Sequence, residues 1–400
     1  MTNKKKIAYL GHGLYFGGAT TSLYLLIKSV DTSEYDKLLY VISCRSAEMK
    51  NDFLKHCEKV ELVGLGPIYN DQAGGKTSVW DLVRKIIFPP KQLLRTLREN
   101  HVDILHINSS VFPHIHKMVI ENSNIKIVTH VREMIPKHGL GLVQRYMIGQ
   151  IYKYSDAIIA ISDNEAKYFQ GHPHLHVFPN PFDFFQIDQV QSDYRHNDRI
   201  SPEVVLVGMM GQFHRSKGHL DMLKALKIIL DKKAAKYPFL FVLIGISPEL
   251  PRWKLLIKKL LFKENYRQEV LNYIRDNGME NHVKMVPYSY RVFDRLKAMD
   301  IMVRPSRAGD PWGRDIIESM AFGKPLVVTG SSEYFVRDGV NGYLVPPRDP
   351  KKLAGKIVEL INDPEKRRAF GESGRLKALE MCDLFEYGAK IMGVYQEILS

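Results

Sequence analysis

Apolar residues in this chain recur in two alternating rhythms. A short apolar run from Lys4 to Leu10 ends on glycines, and Ala19 to Val30 then carries apolar residues at helical spacing. This predicts strand, Gly-rich turn and helix in that order. The alternation continues with strands predicted at Lys37 to Ser43, Asp103 to Asn108, Ile125 to Thr129 and Ala157 to Ile161, and a helix near Ala47 to Lys55. Alternating strands and helices imply parallel pairing with right-handed crossovers, the doubly wound α/β class. Around Pro179 to Ser201 the periodicity dissolves into Pro, Asp, Asn, Gln and Arg, the composition of a linker. A second series follows, with strands at Val204 to Met210, Phe239 to Ile244, Val283 to Val286, Ile301 to Arg304 and Pro325 to Thr329, and a helix at Leu220 to Leu230. The carboxy-terminal part, through Leu353 to Ile361 and Phe370 to Leu399, reads as helices. Two consecutive doubly wound lobes describe the whole pattern.

Composition agrees and adds a constraint. Four hundred residues, 45% hydrophobic and 25% charged, suit two globular lobes and exclude wholesale disorder. Three cysteines, Cys44, Cys57 and Cys382, with no CxxC spacing, argue against a disulfide framework or a structural zinc, and no metal is expected. The apolar run Ile7 to Leu10 is cut at once by Gly11-His12-Gly13, too short for a signal-peptide core, and no stretch reaches the length needed to cross a bilayer. A cytoplasmic protein is expected. The net charge of +13 favours an anionic partner such as nucleic acid, a phosphorylated ligand or an acidic membrane. Against nucleic acid, there is no recognised reader motif and no interleaved aromatic and basic strand pattern.

Three stretches could meet phosphate. Gly75-Lys76-Thr77-Ser78 mimics the end of a P-loop, but Asn70 occupies the required first glycine position, which removes the cradle. Gly17-Gly18 stands directly before a helix, where unpaired N–H groups and the dipole favour an anion. The alternative there is a plain tight turn with Thr20 or Thr21 capping the helix. Gly211-Gln212-Phe213-His214-Arg215-Ser216-Lys217-Gly218 again joins a strand to a helix, now with two cations. Cations at a helix amino terminus are unfavourable unless an anion neutralises them, so Arg215 and Lys217 point to a diphosphate.

The most informative stretch runs from Arg304 to Pro325. A strand ends at Arg304, a Pro/Gly loop follows, a helix begins near Gly313, and Gly323-Lys324-Pro325 stops it. Asp310 lies in the loop and Glu318 in the helix, so both carboxylates can face the carboxyl edge of the sheet, where open α/β sheets bind ligands. Here the chain resembles the retaining glycosyltransferases of the GT-B fold, family 4. Asp310-Pro311-Trp312-Gly313 followed by Glu318-Ser319-Met320-Ala321-Phe322-Gly323-Lys324-Pro325 keeps the spacing of that family's paired acids, with Asp in place of the first Glu. Val336 to Pro347 and Gly211 to Gly218 are similar to two further blocks of the family, so the resemblance covers essentially the second lobe. The first lobe matches through Gly17-Gly18 and His130.

The resemblance implies two Rossmann-like lobes facing a cleft: an acceptor-binding lobe at 1–185, a nucleotide-sugar lobe at 202–378, and a helix at 379–400 returning to the first lobe. It assigns Glu318 to the ribose hydroxyls, Asp310 to hydroxyls of the transferred sugar, Trp312 and Gly313 to the border of sugar and diphosphate, Lys217 to the phosphates, and His130 to the transferred sugar. Gln212 stands where the family has a phosphate-binding Arg, so Arg215 or Arg314 is expected to supply that charge. No cofactor is implied beyond the UDP- or GDP-linked sugar as co-substrate. A structural role for His130, and a local ion pair between Arg132 and Glu133, are the alternatives.

Two basic amphipathic segments remain. Pro251 to Arg267 carries Arg252, Lys254, Lys258, Lys259, Lys263 and Arg267 against Glu264, with an apolar stripe of Trp253, Leu256, Ile257, Leu260 and Leu261. Val79 to Phe88 is a second such segment. Either packs its apolar face on the protein or lies in an anionic membrane interface. The expectation is a metal-independent, retaining transfer from a nucleotide sugar to a saccharide or lipid-linked glycan, in bacterial cell-surface polysaccharide biosynthesis at the inner face of the membrane. Rival readings are an epimerase or phosphorylase of the same fold, or a non-catalytic basic protein that binds membranes or polyanions.

Overall fold

The computed structural model describes residues 4–14, 17–67, 83–85, 88, 90–135, 141–246, 266–287, 292–309 and 312–400. The chain divides into two units, Met1–Pro181 with Cys382–Ser400, and Phe182–Met381.

The first unit holds β1 (Lys5–Gly11), β2 (Tyr35–Val41), β3 (Lys59–Leu62), β4 (Ile104–Ile107), β5 (Lys126–Val131), β6 (Ala157–Ala160) and β7 (Leu175–Val177). They form one sheet in the order β3-β2-β1-β4-β5-β6-β7, with every neighbouring pair parallel. Helices cover both faces, which explains why its strands read as apolar runs rather than alternating ones. Ile7, Tyr9, Leu39, Val41, Ile104 and Val128 face one core with Leu23, Leu26 and Ile27 of the helix Gly18–Ser29. Ala8, Leu10, Leu38, Tyr40, Leu105 and Ile107 face the other, with Leu93, Leu94 and Leu97 of the helix Lys91–Glu99.

One buried cation breaks the apolar run of β2. Lys37 is 2% exposed, and its Nζ donates to Ile27 O at 2.9 Å and Val30 O at 2.7 Å. The ammonium thereby caps the carboxyl end of the first helix, whose last carbonyls have no partner within the helix. Burial lowers its pKa.

The carboxy-terminal helix, Leu384–Leu399, packs in the first unit, contributing Tyr387, Ile391, Val394 and Tyr395 to the first of those cores. The part read as helices through Phe370 to Leu399 holds the helix Pro364–Cys382 and the helix Leu384–Leu399. Asp383 separates them: its Oδ1 accepts from Phe385 N and Glu386 N at 2.9 and 3.0 Å, starting a new helix where hydrophobic periodicity shows no break.

The second unit holds β8 (Val205–Met210), β9 (Phe239–Ile246), β10 (Val283–Pro287), β11 (Ile301–Arg304), β12 (Leu326–Thr329) and β13 (Gly342–Val345). The order is β10-β9-β8-β11-β12-β13, again all parallel. The stretch expected as a linker differs from that expectation. Residues 182–201 fold with the second unit and contain the short helices Phe185–Gln189 and Tyr194–Asn197. Arg195 donates to Ser201 O, to Val204 O and to Asp300 Oδ2, the last at 2.5 Å, and Ser192 Oγ donates to Asp294 O at 2.6 Å. Side-chain to backbone bonds of this kind leave no trace in a hydrophobicity pattern.

Candidate functional site

In the second unit β8 and β11 are neighbours, yet the chain leaves them toward opposite sides of the sheet, to β9 and to β12. Such a reversal opens a crevice beyond the carboxyl ends of the two strands. The two candidate stretches are the loops at those ends. One is Gly211 to Gly218, leading into the helix His219–Lys232; the other is Pro305 to Gly313, leading into the helix Arg314–Ala321.

The loops are joined through backbone. Arg307 N donates to Ser216 O at 2.8 Å. Gly218 has φ +83, and a Cβ there would lie 1.8 Å from Pro305 O, so no other residue fits at this approach. Gly313 has φ +151 and would carry a Cβ 2.7 Å from Asp315 Oδ1 and 2.9 Å from Arg304 Nη1. These two glycines therefore set the geometry of the crevice through contacts that any side chain would block.

The charges at this edge are mostly paired. Arg215 Nη2 lies 2.7 Å from Glu269 Oε2, with its guanidinium 5.2 Å from the Tyr266 ring centroid. Arg304 pairs with Asp315, Arg307 Nε lies 3.2 Å from Asp221 Oδ2, and Arg314 Nε lies 2.9 Å from Glu318 Oε1. The last pair is well shielded, with side-chain exposures of 8% and 12%. Burial raises the Glu318 pKa, and the Arg314 charge and hydrogen bond pull it back. Glu269 answers Arg215, whereas Lys217 has no ion pair or side-chain hydrogen bond among the described residues. Gln212 is exposed. Trp312 is half-buried just before Gly313, and Asp310 lies outside the described residues.

In the first unit Gly17 and Gly18 begin the helix Gly18–Ser29, which has no side-chain cap among the described residues. Thr20 Oγ1 donates to Gly13 O at 3.1 Å and Thr21 Oγ1 to Gly17 O at 3.2 Å, so neither threonine takes the capping role considered for it. His130 is fully buried near the end of β5, and burial together with Arg132 and His106 holds its pKa well below the usual range. Arg132 and Glu133 do not form the local ion pair weighed above. Arg132 Nε donates to Asn108 Oδ1 at 2.6 Å, and Nη1 donates to Asn180 Oδ1. Glu133 Oε1 instead accepts from Ser109 Oγ, from Ser110 N at 2.9 Å and from Ser110 Oγ at 3.0 Å.

Sequence reasoning missed Arg304, Asp315, His106, Asn108, Asn180 and Tyr395. For Arg304 and Asp315, position at a strand end and in a first helical turn was an available signal; for the others, nothing in their local sequence marks them. Among the described residues no group of three or more His, Cys, Asp or Glu could hold a metal ion, and no helix is long and apolar enough to cross a membrane. Of Pro251 to Arg267 only residues 266 and 267 are described, and of Val79 to Phe88 only residues 83–85 and 88, while Gly75-Lys76-Thr77-Ser78 lies outside the described residues.

Two parallel, doubly wound units, with glycine loops at a strand-order reversal, define an open α/β class whose ligands bind beyond the carboxyl ends of the strands. Comparison with known proteins sharpens this. Residues 190–377 match the model for glycosyl transferases group 1, and residues 17–184 match the model for glycosyltransferase family 4. The chain belongs to this glycosyltransferase family. It is similar to an uncharacterized glycosyltransferase of Methanocaldococcus jannaschii, 30% identical over 35% of this chain and 40% of that protein. It is also similar to the capsular polysaccharide biosynthesis glycosyltransferase CapM of Staphylococcus aureus, 26% identical over 48% of this chain and 46% of that one. The match therefore spans less than half the length of each of these two curated relatives. Among solved structures, Anabaena HepE in complex with UDP and glucose superposes with a TM-score of 0.76 at 20% identity, covering 98% of this chain and 99% of that one. This likeness establishes the GT-B fold.

Proposed function

We propose that this protein transfers a sugar, with retention and without a metal, from a nucleotide sugar to a saccharide or lipid-linked glycan. The observation that carries the reading is the pair of loops beyond β8 and β11, locked together at Gly218 and Pro305, with Lys217 uncommitted beside them and the shielded Arg314–Glu318 pair across the second helix start.

In this reading the diphosphate meets Lys217 and the amino-terminal N–H groups of the helices His219–Lys232 and Arg314–Ala321. Charge accumulates on the diphosphate as the bond to the sugar breaks, and fixed donors aimed there lower the barrier. Glu318 accepts from the ribose hydroxyls through the lone pairs that Arg314 leaves open, and the carboxylate makes these bonds charge-assisted. Asp310 serves the sugar hydroxyls, Trp312 and Gly313 border the sugar and diphosphate, and Gln212, Arg215 and Gly17-Gly18 are further candidates for donor contacts. His130 serves the transferred sugar. UDP is the leading donor nucleotide because HepE, of the same fold, was solved with UDP and glucose. CapM supports an acceptor in cell-surface polysaccharide assembly. The basic segments support a position at the inner, anionic face of the membrane.

Turnover of a panel of UDP-, GDP- and dTDP-sugars tests the reading. One sugar nucleotide should be consumed, and Glu318→Ala and Lys217→Ala should strongly lower its consumption while the protein stays folded. Co-sedimentation with anionic liposomes at low salt tests the membrane part, and failure to sediment removes it.

A further inference from the structure

His130 has a buried Nε2 with no hydrogen-bond partner among the described residues. Its other nitrogen faces two groups. Arg132 Nη2 lies 3.3 Å from His130 Nδ1, and a guanidinium can only donate, so Nδ1 must offer its lone pair. His106 Nε2 lies 3.3 Å from the same nitrogen, and it too must therefore carry its proton. That leaves His106 Nδ1 as an acceptor, and Tyr395 Oη sits 2.7 Å away. The phenol lies on the carboxy-terminal helix, 289 positions along the chain from His106.

Burial holds both imidazoles well below their usual pKa, with the Arg132 charge acting in the same direction, so both are neutral and each carries one proton. Burial also pushes the Tyr395 phenol upward, which keeps its proton in place. Every proton in this relay is then assigned. The one Tyr395 proton faces His106 Nδ1 at 2.7 Å and Tyr9 Oη at 3.4 Å; given to the shorter contact, it leaves His106 donating to His130, and His130 with a proton on the nitrogen that the network does not use. Buried polar groups are ordinarily satisfied, and an N–H left over in a completed network is a donor awaiting an acceptor.

We propose that Tyr395 is a positioning residue that acts through His106 to hold His130 as its Nε2–H tautomer, presenting a hydrogen-bond donor to an oxygen of the bound sugar nucleotide. His130 then gives a hydrogen bond to the substrate and takes no proton from it. The ligand half of this proposal rests on the sugar-transfer reading; the tautomer half does not.

Long-range 1H–15N correlation spectra of the full chain, labelled with 15N-histidine, read the tautomers directly, with His130→Asn and His106→Asn assigning the two signals. Both histidines should show protonated Nε2 and bare Nδ1. A His130 protonated at Nδ1, or at both nitrogens near neutral pH, overturns the proposal. In Tyr395→Phe the single-tautomer signature of His106 should be lost and the His130 resonances should shift as its neighbour changes; two unchanged signals overturn the role of Tyr395. Should that variant fold poorly, the wild-type spectrum still decides the tautomer. Adding whichever of UDP-glucose, GDP-mannose or dTDP-glucose raises the melting temperature should move the His130 Nε2–H resonance, whereas the matching nucleoside diphosphate should not. An unmoved resonance removes the ligand half. Failure of all three to stabilise the protein removes the sugar-transfer reading and that half together, and leaves the tautomer result standing.

Discussion

The two units share a topology but build their candidate sites from different materials. In the second unit the site is made mainly of backbone: two loops at the ends of adjacent strands, a glycine seated against Pro305 O, and the ion pairs Arg304–Asp315 and Arg314–Glu318 between residues close in sequence. In the first unit it is made of side chains from three separate parts of the chain, His106, the closely spaced His130 and Arg132, and Tyr395, with Asn108 and Asn180 fixing the guanidinium. A backbone site is local and tolerates few residue types. A side-chain network is assembled by the fold and carries no spacing rule.

The comparison predicts where substitutions will hurt most. The largest effect is expected at Glu318. Its replacement by Ala removes a fixed hydrogen-bonding group and should lower sugar-nucleotide turnover on the order of a hundredfold, as measured by initial rates. Loss of turnover should be accompanied by lower stability, because the shielded Arg314 loses the carboxylate 2.9 Å from its Nε. Gly218→Ala should follow, costing about 2–3 kcal/mol in chemical denaturation through its positive φ and the clash with Pro305 O. If Gly218→Ala were neutral, the claim that backbone sets this site would fail.

In the first unit Lys37→Met should cost about 1–2 kcal/mol by the same measurement, because two helix-terminal carbonyls lose their donor within a buried setting. The loss should appear without a change in donor turnover. The smallest effect is expected at Gly149, inside the helix Leu142–Tyr154 and with open space where a Cβ would stand. Gly149→Ala should stabilise by about 0.5–1 kcal/mol.

Acid sharpens the contrast between the units. The Glu318 pKa is raised, so its carboxylate takes up a proton at a higher pH than an ordinary glutamate. If the ionised form holds ribose, donor affinity should fall as pH is lowered through that raised value, and Glu318→Gln should flatten the dependence. His106 and His130, held neutral by burial, should contribute no titration near neutrality. Isothermal titration of UDP across mildly acidic pH checks both statements.

Much of the fold was legible because parallel strands buried on both faces must be apolar throughout, and helices must show a stripe. The edge strands β3, β7 and β13 were not predicted as strands, since Lys59–Leu62, Leu175–Val177 and Gly342–Val345 are three or four residues long and polar residues interrupt two of them. The polar stretch at 182–201 hid two short helices because Arg195 and Ser192, not apolar contacts, hold it in place. The Arg215 and Lys217 charges were visible, but Glu269, which answers Arg215, lies 54 positions away. Lys37 was placed inside a strand, and only the structure shows why a buried ammonium is tolerated there. The His130 network was the least legible part, since its meaning depends on a tyrosine near the other end of the chain.

The central claim is that the crevice beyond β8 and β11 takes a nucleotide sugar. Steady-state turnover of the best-bound sugar nucleotide, measured side by side for the wild type, Lys217→Ala and Glu318→Ala with melting curves for each, tests it most directly. Both variants should lose turnover, with Lys217→Ala keeping the wild-type melting temperature. Undiminished turnover in a folded Lys217→Ala protein would contradict the claim.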